Sequence, residues 1–258
     1  MGIIEAIILG IVEGITEFLP ISSTGHLILA STLMGIQQTE VHKAFEVSIQ
    51  LGSILAVVFV YHQKIFHSIE LWKRLIVAFI PTGVLGFLLY KIIKGLFSPV
   101  VVSIMLILGG IAFILVEKFY NEKEHALKDV EKIPYWKAVA IGIFQSLAMI
   151  PGTSRSGATI IGGLLLGLNR KAAAEFSFLL AVPTMLVATT YDTLKHFNEY
   201  QFDHWTTLLV GFITAFIFAI ITIKLFLSFI TKHNFVPFGI YRIILGIIFL
   251  FYLNHLSI

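Results

Sequence analysis

Apolar residues run along this chain in long blocks separated by short polar breaks. Six blocks, at about 45–62, 74–94, 97–117, 173–194, 205–231 and 236–255, match the roughly 20 residues a helix needs to cross a bilayer. Two further regions are apolar but interrupted. Residues 2–19 carry Glu5, Glu13 and Glu17 and stop at Pro20, and 25–36 is too short to span. The same short–break–short pattern returns at 137–150 and 157–168, split by Pro151-Gly152-Thr153-Ser154-Arg155-Ser156. Each pair reads as a re-entrant helical hairpin. Its tip is non-helical backbone at membrane depth, which is tolerated only where it lines a cavity.

The two interrupted regions are related. An offset of 132 sets Gly10-Ile11-Val12-Glu13 beside Gly142-Ile143-Phe144-Gln145, Ser22 beside Ser154, Thr24 beside Ser156, and Gly25 and Gly35 beside Gly157 and Gly167. After a three-residue slip, Glu46-Val47-Ser48 meets Glu175-Phe176-Ser177. Each half is then one hairpin followed by three spans, and three is odd, so the second half enters from the opposite side. The expected fold is an all-α integral membrane protein: six transmembrane helices plus two hairpins in an inverted-topology repeat, with the site at the repeat interface. One domain fills 1–258, with repeat 1 at about 1–120, a mixed-charge solvated loop at about 118–136 and repeat 2 at about 137–258.

Composition agrees: 57% of residues are hydrophobic and 13% charged, about half the charge of a soluble domain. With no cysteine, thiolate metal sites and disulfides are excluded. The net charge of +3 points to loop orientation rather than to nucleic acid. The layout puts Lys43, Lys91, Lys94 and Lys195 on the side of the termini and twelve other Lys and Arg residues on the opposite side. Positive charge marks the cytoplasm, so both termini are expected outside, with the first hairpin dipping in from the outer face. Met1 to Ala6 contain no Lys or Arg and do not resemble a cleaved signal peptide.

Ionisable groups at membrane depth are the functional candidates. Glu13 and Glu17, four apart, share one helix face and repel unless a cation or proton lies between them. Oxygen ligands of this kind suit Mg²⁺ or Ca²⁺; the alternative is that both face water at a helix end. Ser22, Ser23 and Thr24 open the next half-helix, as Thr153, Ser154 and Ser156 do in the second hairpin. Two helix N-termini and Arg155 make an anion site that can grip phosphate, unless the hydroxyls only cap helices and Arg155 sits in a structural ion pair. His26, within a turn of Ser22 and Ser23, can move a proton, or it is interfacial. The repeat is asymmetric in its chemistry: Glu13, Glu17, Ser23 and His26 correspond to Gln145, Met149, Arg155 and Ala158. That division suits catalysis better than carriage.

Glu13-Gly-Ile-Thr-Glu17-Phe-Leu-Pro-Ile-Ser-Ser-Thr-Gly-His26 and Pro151-Gly-Thr-Ser-Arg155-Ser-Gly-Ala-Thr159 resemble the two signature motifs of the undecaprenyl-diphosphatase family, also called bacitracin-resistance proteins. The likeness extends over essentially the whole chain. It implies hydrolysis of undecaprenyl diphosphate at the outer side of the bacterial plasma membrane, recycling the lipid carrier for peptidoglycan. It also implies a divalent cation and functional roles for Glu13, Glu17, Ser23, His26 and Arg155. In that reading Glu13 and Glu17 hold the metal, and Arg155 with the helix N-termini holds the terminal phosphoryl group. Ser23 or a water attacks, while Glu17 or His26 manages the proton. Ser22, Thr24, Thr153, Ser154 and Ser156 contact the diphosphate. Partners are then the lipid-linked substrate and membrane lipid, and a homodimer is compatible with the chain. The rival reading is a transporter that returns the phosphorylated carrier lipid across the membrane. The type 2 phosphatidic acid phosphatase class is rejected: Ser23-Thr24-Gly25-His26 is similar to one of its elements, but its Lys-x₆-Arg-Pro and Ser-Arg-x₅-His are absent.

Overall fold

The computed structural model describes all residues except 38, 97, 123–125, 196–204 and 257–258. Among the described residues the chain forms eleven α-helices: α1 (Ile3–Thr16), α2 (Ser23–Leu33), α3 (Glu40–Val60), α4 (His62–His67), α5 (Ile69–Gly95), α6 (Pro99–Phe119), α7 (Tyr135–Ser146), α8 (Arg155–Leu165), α9 (Arg170–Lys195), α10 (Trp205–Ile230) and α11 (Val236–Leu256). Five of them, α5, α6, α9, α10 and α11, contain stretches long and apolar enough to cross a membrane. The sixth expected span is α3, whose apolar part, Ala44–Val60, falls short because Glu40, His42 and Glu46 occupy its first two turns. The protein is an all-α integral membrane protein.

The interrupted regions form hairpins. Helix α1 ends at Thr16, a turn carries the chain from Glu17 past Pro20, whose ring forbids renewed helix there, and the chain reverses through Ser22 at φ 72°. That backbone conformation is uncommon for a residue with a Cβ, and it recurs at Ser154, φ 74°. Each serine caps the next half-helix: Ser22 Oγ accepts from Gly25 N at 3.4 Å and Ser154 Oγ from Gly157 N at 3.1 Å. Both half-helices are eleven residues long. Both stop at a left-handed glycine, Gly35 at φ 67° and Gly167 at φ 83°.

Packing crosses between the halves. Helix α1 lies on α10, α7 on α5, α6 on α11 and α3 on α9. Small residues permit the approach. A Cβ at Gly10 would stand 2.7 Å from the carbonyl oxygen of Gly211, and one at Gly14 2.6 Å from that of Ala215. Gly142 on α7 comes closer still to the Ala78 carbonyl of α5. Helix α9 is central: 67% of its span is buried, against 17–28% for the other four. It packs Phe176 and Phe178 against Phe18, Phe113, Phe226 and Phe235 in the main core. Outward faces carry Phe87, Leu88, Leu225 and Phe251, at least 65% exposed in the isolated chain and suited to lipid.

One expectation is corrected. The mixed-charge segment after α6 is not simply solvated. Leu127 N donates to Gly167 O and Asn169 N donates to Leu127 O, both at 3.0 Å, while Val130 and Ile133 are fully buried. Its few apolar residues find a core between α5 and α9, which charge composition alone could not reveal. Lys123, used in the side count, lies outside the described residues.

Candidate active site

The two hairpin tips meet inside the bundle. Glu13 and Glu17 lie one turn apart at the end of α1, 0% and 7% exposed. Ser23, the first residue of α2, donates its hydroxyl to Glu17 Oε2 at 2.6 Å. From the other hairpin, Arg155 Nη2 donates to Glu17 Oε1 at 3.1 Å, and Nη1 donates to the Ser177 carbonyl of α9 at 2.8 Å. Ser23, Glu17 and Arg155 therefore form one hydrogen-bonded chain across the interface between the halves. Arg155 Nε and Thr153 Oγ1 are buried beside it without a partner. An approaching oxyanion would satisfy such donors.

Glu13 differs from Glu17. Both of its carboxylate oxygens are buried and unpartnered, a costly arrangement for a polar group. The charges nearest to act on it are Glu17, Glu46 and Arg155. Two orphaned, acceptor-only oxygens fit a hard divalent cation. Among the described residues no group of three or more His, Asp or Glu converges as a ready-made metal cage. The donor set thus resembles the kind that Mg²⁺ completes with substrate phosphate oxygens and water.

His26 is held from both sides. Its Nδ1 lies 2.8 Å from the Ser22 carbonyl, which only accepts, so the hydrogen-bond network assigns the proton to Nδ1. Nε2 lies 2.6 Å from the phenol oxygen of Tyr241 on α11, and the two rings stack with centroids 5.6 Å apart. Of the remaining predicted residues, Thr24 is partly exposed. The hydroxyls of Ser22 and Ser154 act as caps, and Ser156 Oγ donates to the Leu19 carbonyl at 3.0 Å, fastening one tip to the other.

Two residues of the site escaped sequence reading. Tyr241 looks like an interfacial aromatic near the start of a span. Arg242 carried a usable signal, an arginine well inside an apolar block. It is 0% exposed and donates to carbonyls rather than to an acid. Pro20 O (2.9 Å) belongs to the first tip, Gly152 O (2.9 Å) and Thr153 O (3.0 Å) to the second, and Met105 O (3.0 Å) and Leu106 O (3.3 Å) to α6. One guanidinium thus sets the spacing of both tips and leaves its charge uncompensated beside them, favouring an anion.

Residues 6–248 match the family model described as Bacitracin resistance protein BacA. The chain is 71% identical to an undecaprenyl-diphosphatase of Persephonella marina over 98% of this chain and 99% of that one. It is 64% identical to an undecaprenyl-diphosphatase of a Sulfurihydrogenibium species, over 96% and 98% of the two chains. With another from Wolinella succinogenes the identity is 63%, over 98% and 99%.

Proposed function

Since this chain belongs to the bacitracin resistance protein family, we infer that it is an undecaprenyl-diphosphatase: it hydrolyses undecaprenyl diphosphate to undecaprenyl phosphate and inorganic phosphate. It does so as a multi-pass protein of the bacterial plasma membrane, returning the lipid carrier for cell-wall polymer synthesis and thereby conferring bacitracin resistance. The observation that carries the chemistry is the Ser23–Glu17–Arg155 chain.

Ser23 is the nucleophile and Glu17 its base. The 2.6 Å bond already points the hydroxyl proton at the carboxylate, whereas His26 is engaged by Ser22 and Tyr241. As Ser23 Oγ bonds to the terminal phosphorus, its proton passes to Glu17, and the P–O bond to undecaprenyl phosphate breaks. Water then attacks the phosphoserine while Glu17, its first proton having left with the products, takes up the water's proton. The P–Oγ bond breaks, inorganic phosphate leaves and Glu17 returns that proton to Ser23 Oγ. Arg155 releases part of its hold on Glu17 to meet the equatorial phosphate oxygens, joined by the unpartnered Thr153 hydroxyl. Glu13, with Glu17 beside it, would hold a divalent cation, which would neutralise charge on the diphosphate. Both termini lie outside and the site opens to the outer face, as the charge count over the loops supports.

The test is phosphate release from a polyprenyl diphosphate by the detergent-purified protein, with divalent cation and with chelator. Wild type should release phosphate only with the cation, and Glu17→Gln, Ser23→Ala and Arg155→Ala should each release it at least about 10²-fold more slowly while still folded. Saturable lipid binding without release by wild type would make the chain a carrier-lipid transporter instead.

A further inference from the structure

A polar cavity of about 600 Å³ opens where the start of α9, the end of α10 and the start of α11 meet, lined by none of the hairpin-tip residues. Arg170 and Lys171 stand on one wall; Lys232 and His233, in the turn between α10 and α11, stand on the other. All three helix ends are also the ends of membrane-spanning stretches, so the cavity lies at the level of the lipid headgroups.

Its charge is easily itemised. Arg170 is committed: it donates to both oxygens of buried Glu117, at 3.0 and 2.6 Å, and to Glu122 at 3.2 Å. Lys171 and Lys232 are exposed and have no ion-pair partner among the described residues. Two asparagines on the rim face the same way chemically. Asn169 Oδ1 accepts from Ala172 N at 2.7 Å and Asn234 Oδ1 from Val236 N at 3.2 Å, so both amides keep their N–H donors for a ligand. Ile230 and Pro237 supply an apolar floor.

We propose that this cavity binds the phosphate headgroup of an anionic phospholipid, on the membrane face opposite to the catalytic opening. Lys171 and Lys232 embrace the phosphodiester from two walls, and the Asn169 and Asn234 amides donate to its oxygens. The acyl chains run down the lipid-exposed sides of α10 and α11. Basic pockets between transmembrane helices on the positively charged side are suited to such headgroups. A free phosphate ion shares the headgroup's chemistry but gains nothing from the membrane level or the adjoining apolar faces.

The test uses the full chain in detergent with mixed phosphatidylglycerol and phosphatidylcholine, reading retained lipid by native mass spectrometry and thermal stabilisation in parallel. Wild type should retain phosphatidylglycerol selectively. The double variant Lys171→Gln, Lys232→Gln should bind it about thirtyfold more weakly, two lysines each contributing at the membrane surface, while the double Lys→Arg variant keeps it. Glu122→Gln, which removes an acid from the rim and frees part of Arg170, should bind more tightly. Selectivity unchanged in the double glutamine variant overturns the assignment. So does displacement of the lipid by an equal concentration of inorganic phosphate, which would make this a free-anion site. Neither lysine touches the catalytic cluster, so phosphate release by the variants in phosphatidylcholine reports that they are folded.

Discussion

At the scale of single residues, two carboxylates one turn apart have opposite hydrogen-bonding states, and this separates their roles. Glu17 has both oxygens in use and Glu13 has neither. Glu17→Gln removes the acceptor for the Ser23 proton and should lower kcat by about 10²–10⁴ at saturating cation, with a smaller change in KM. Glu13→Gln should instead raise the cation concentration needed for half-maximal rate and recover part of kcat when the cation is in excess. A loss for Glu13→Gln that no cation concentration relieves would remove Glu13 from the ion site. Tyr241→Phe keeps the ring stacked on His26 but leaves Nε2 unpaired. The loss of one such bond costs about 1 kcal/mol of stability, so the variant should inactivate at modestly lower temperature, with kcat/KM little changed. Glu13, Glu17, His26 and Arg155 stand out in the sequence because ionisable types are costly in apolar surroundings, and Ser23 because it opens the half-helix after Pro20. Tyr241 does not: it meets His26 across 215 residues, through a packing that no local spacing encodes.

At the scale of elements, the hairpins were legible and their fastening was not. Pro20, Pro151 and the short apolar blocks announce broken helices, and the 132-residue offset aligns Ser22 with Ser154 and Gly35 with Gly167, each pair sharing a positive φ. Beside the Ser156–Leu19 and Arg155–Glu17 bonds, however, the tips are held together by Arg242 from the last helix, through carbonyl groups that every residue possesses. Arg242→Met fills similar volume but leaves five carbonyls short of a donor. A buried carbonyl left without its partner costs about 1–3 kcal/mol. The variant should therefore inactivate at distinctly lower temperature in detergent and lose phosphate release even where it stays folded. The α1–α10 contact makes a second prediction. Gly14→Leu drives a side chain into the Ala215 carbonyl, an overpacking of about 1–3 kcal/mol or more. It should reduce thermal stability, whereas Gly35→Asn, at a left-handed position with open space around it, should leave stability nearly unchanged.

At the scale of the whole molecule, each half offers its hairpin to the second span of the other half, α1 to α10 and α7 to α5. Composition could not reveal this exchange, because the glycine faces that permit it carry no side-chain signature. The exchange matters for the proposed mechanism: Ser23 and Glu17 come from one half and Arg155 from the other, so neither half alone would both activate the nucleophile and hold the phosphate. It also makes orientation a property of the assembled site. If charge sets the insertion, the turn between α2 and α3 faces outside and the segment after α6 faces the cytoplasm. The natural chain has no cysteine, so single replacements at exposed Gln37 and Asn121 report cleanly. In intact cells a membrane-impermeant thiol reagent should label Gln37→Cys, and should reach Asn121→Cys only after permeabilisation. The opposite pattern would place the hairpin carrying Ser23 and Glu17 on the cytoplasmic side, and the diphosphate would then have to be hydrolysed after, rather than before, the lipid returns across the membrane.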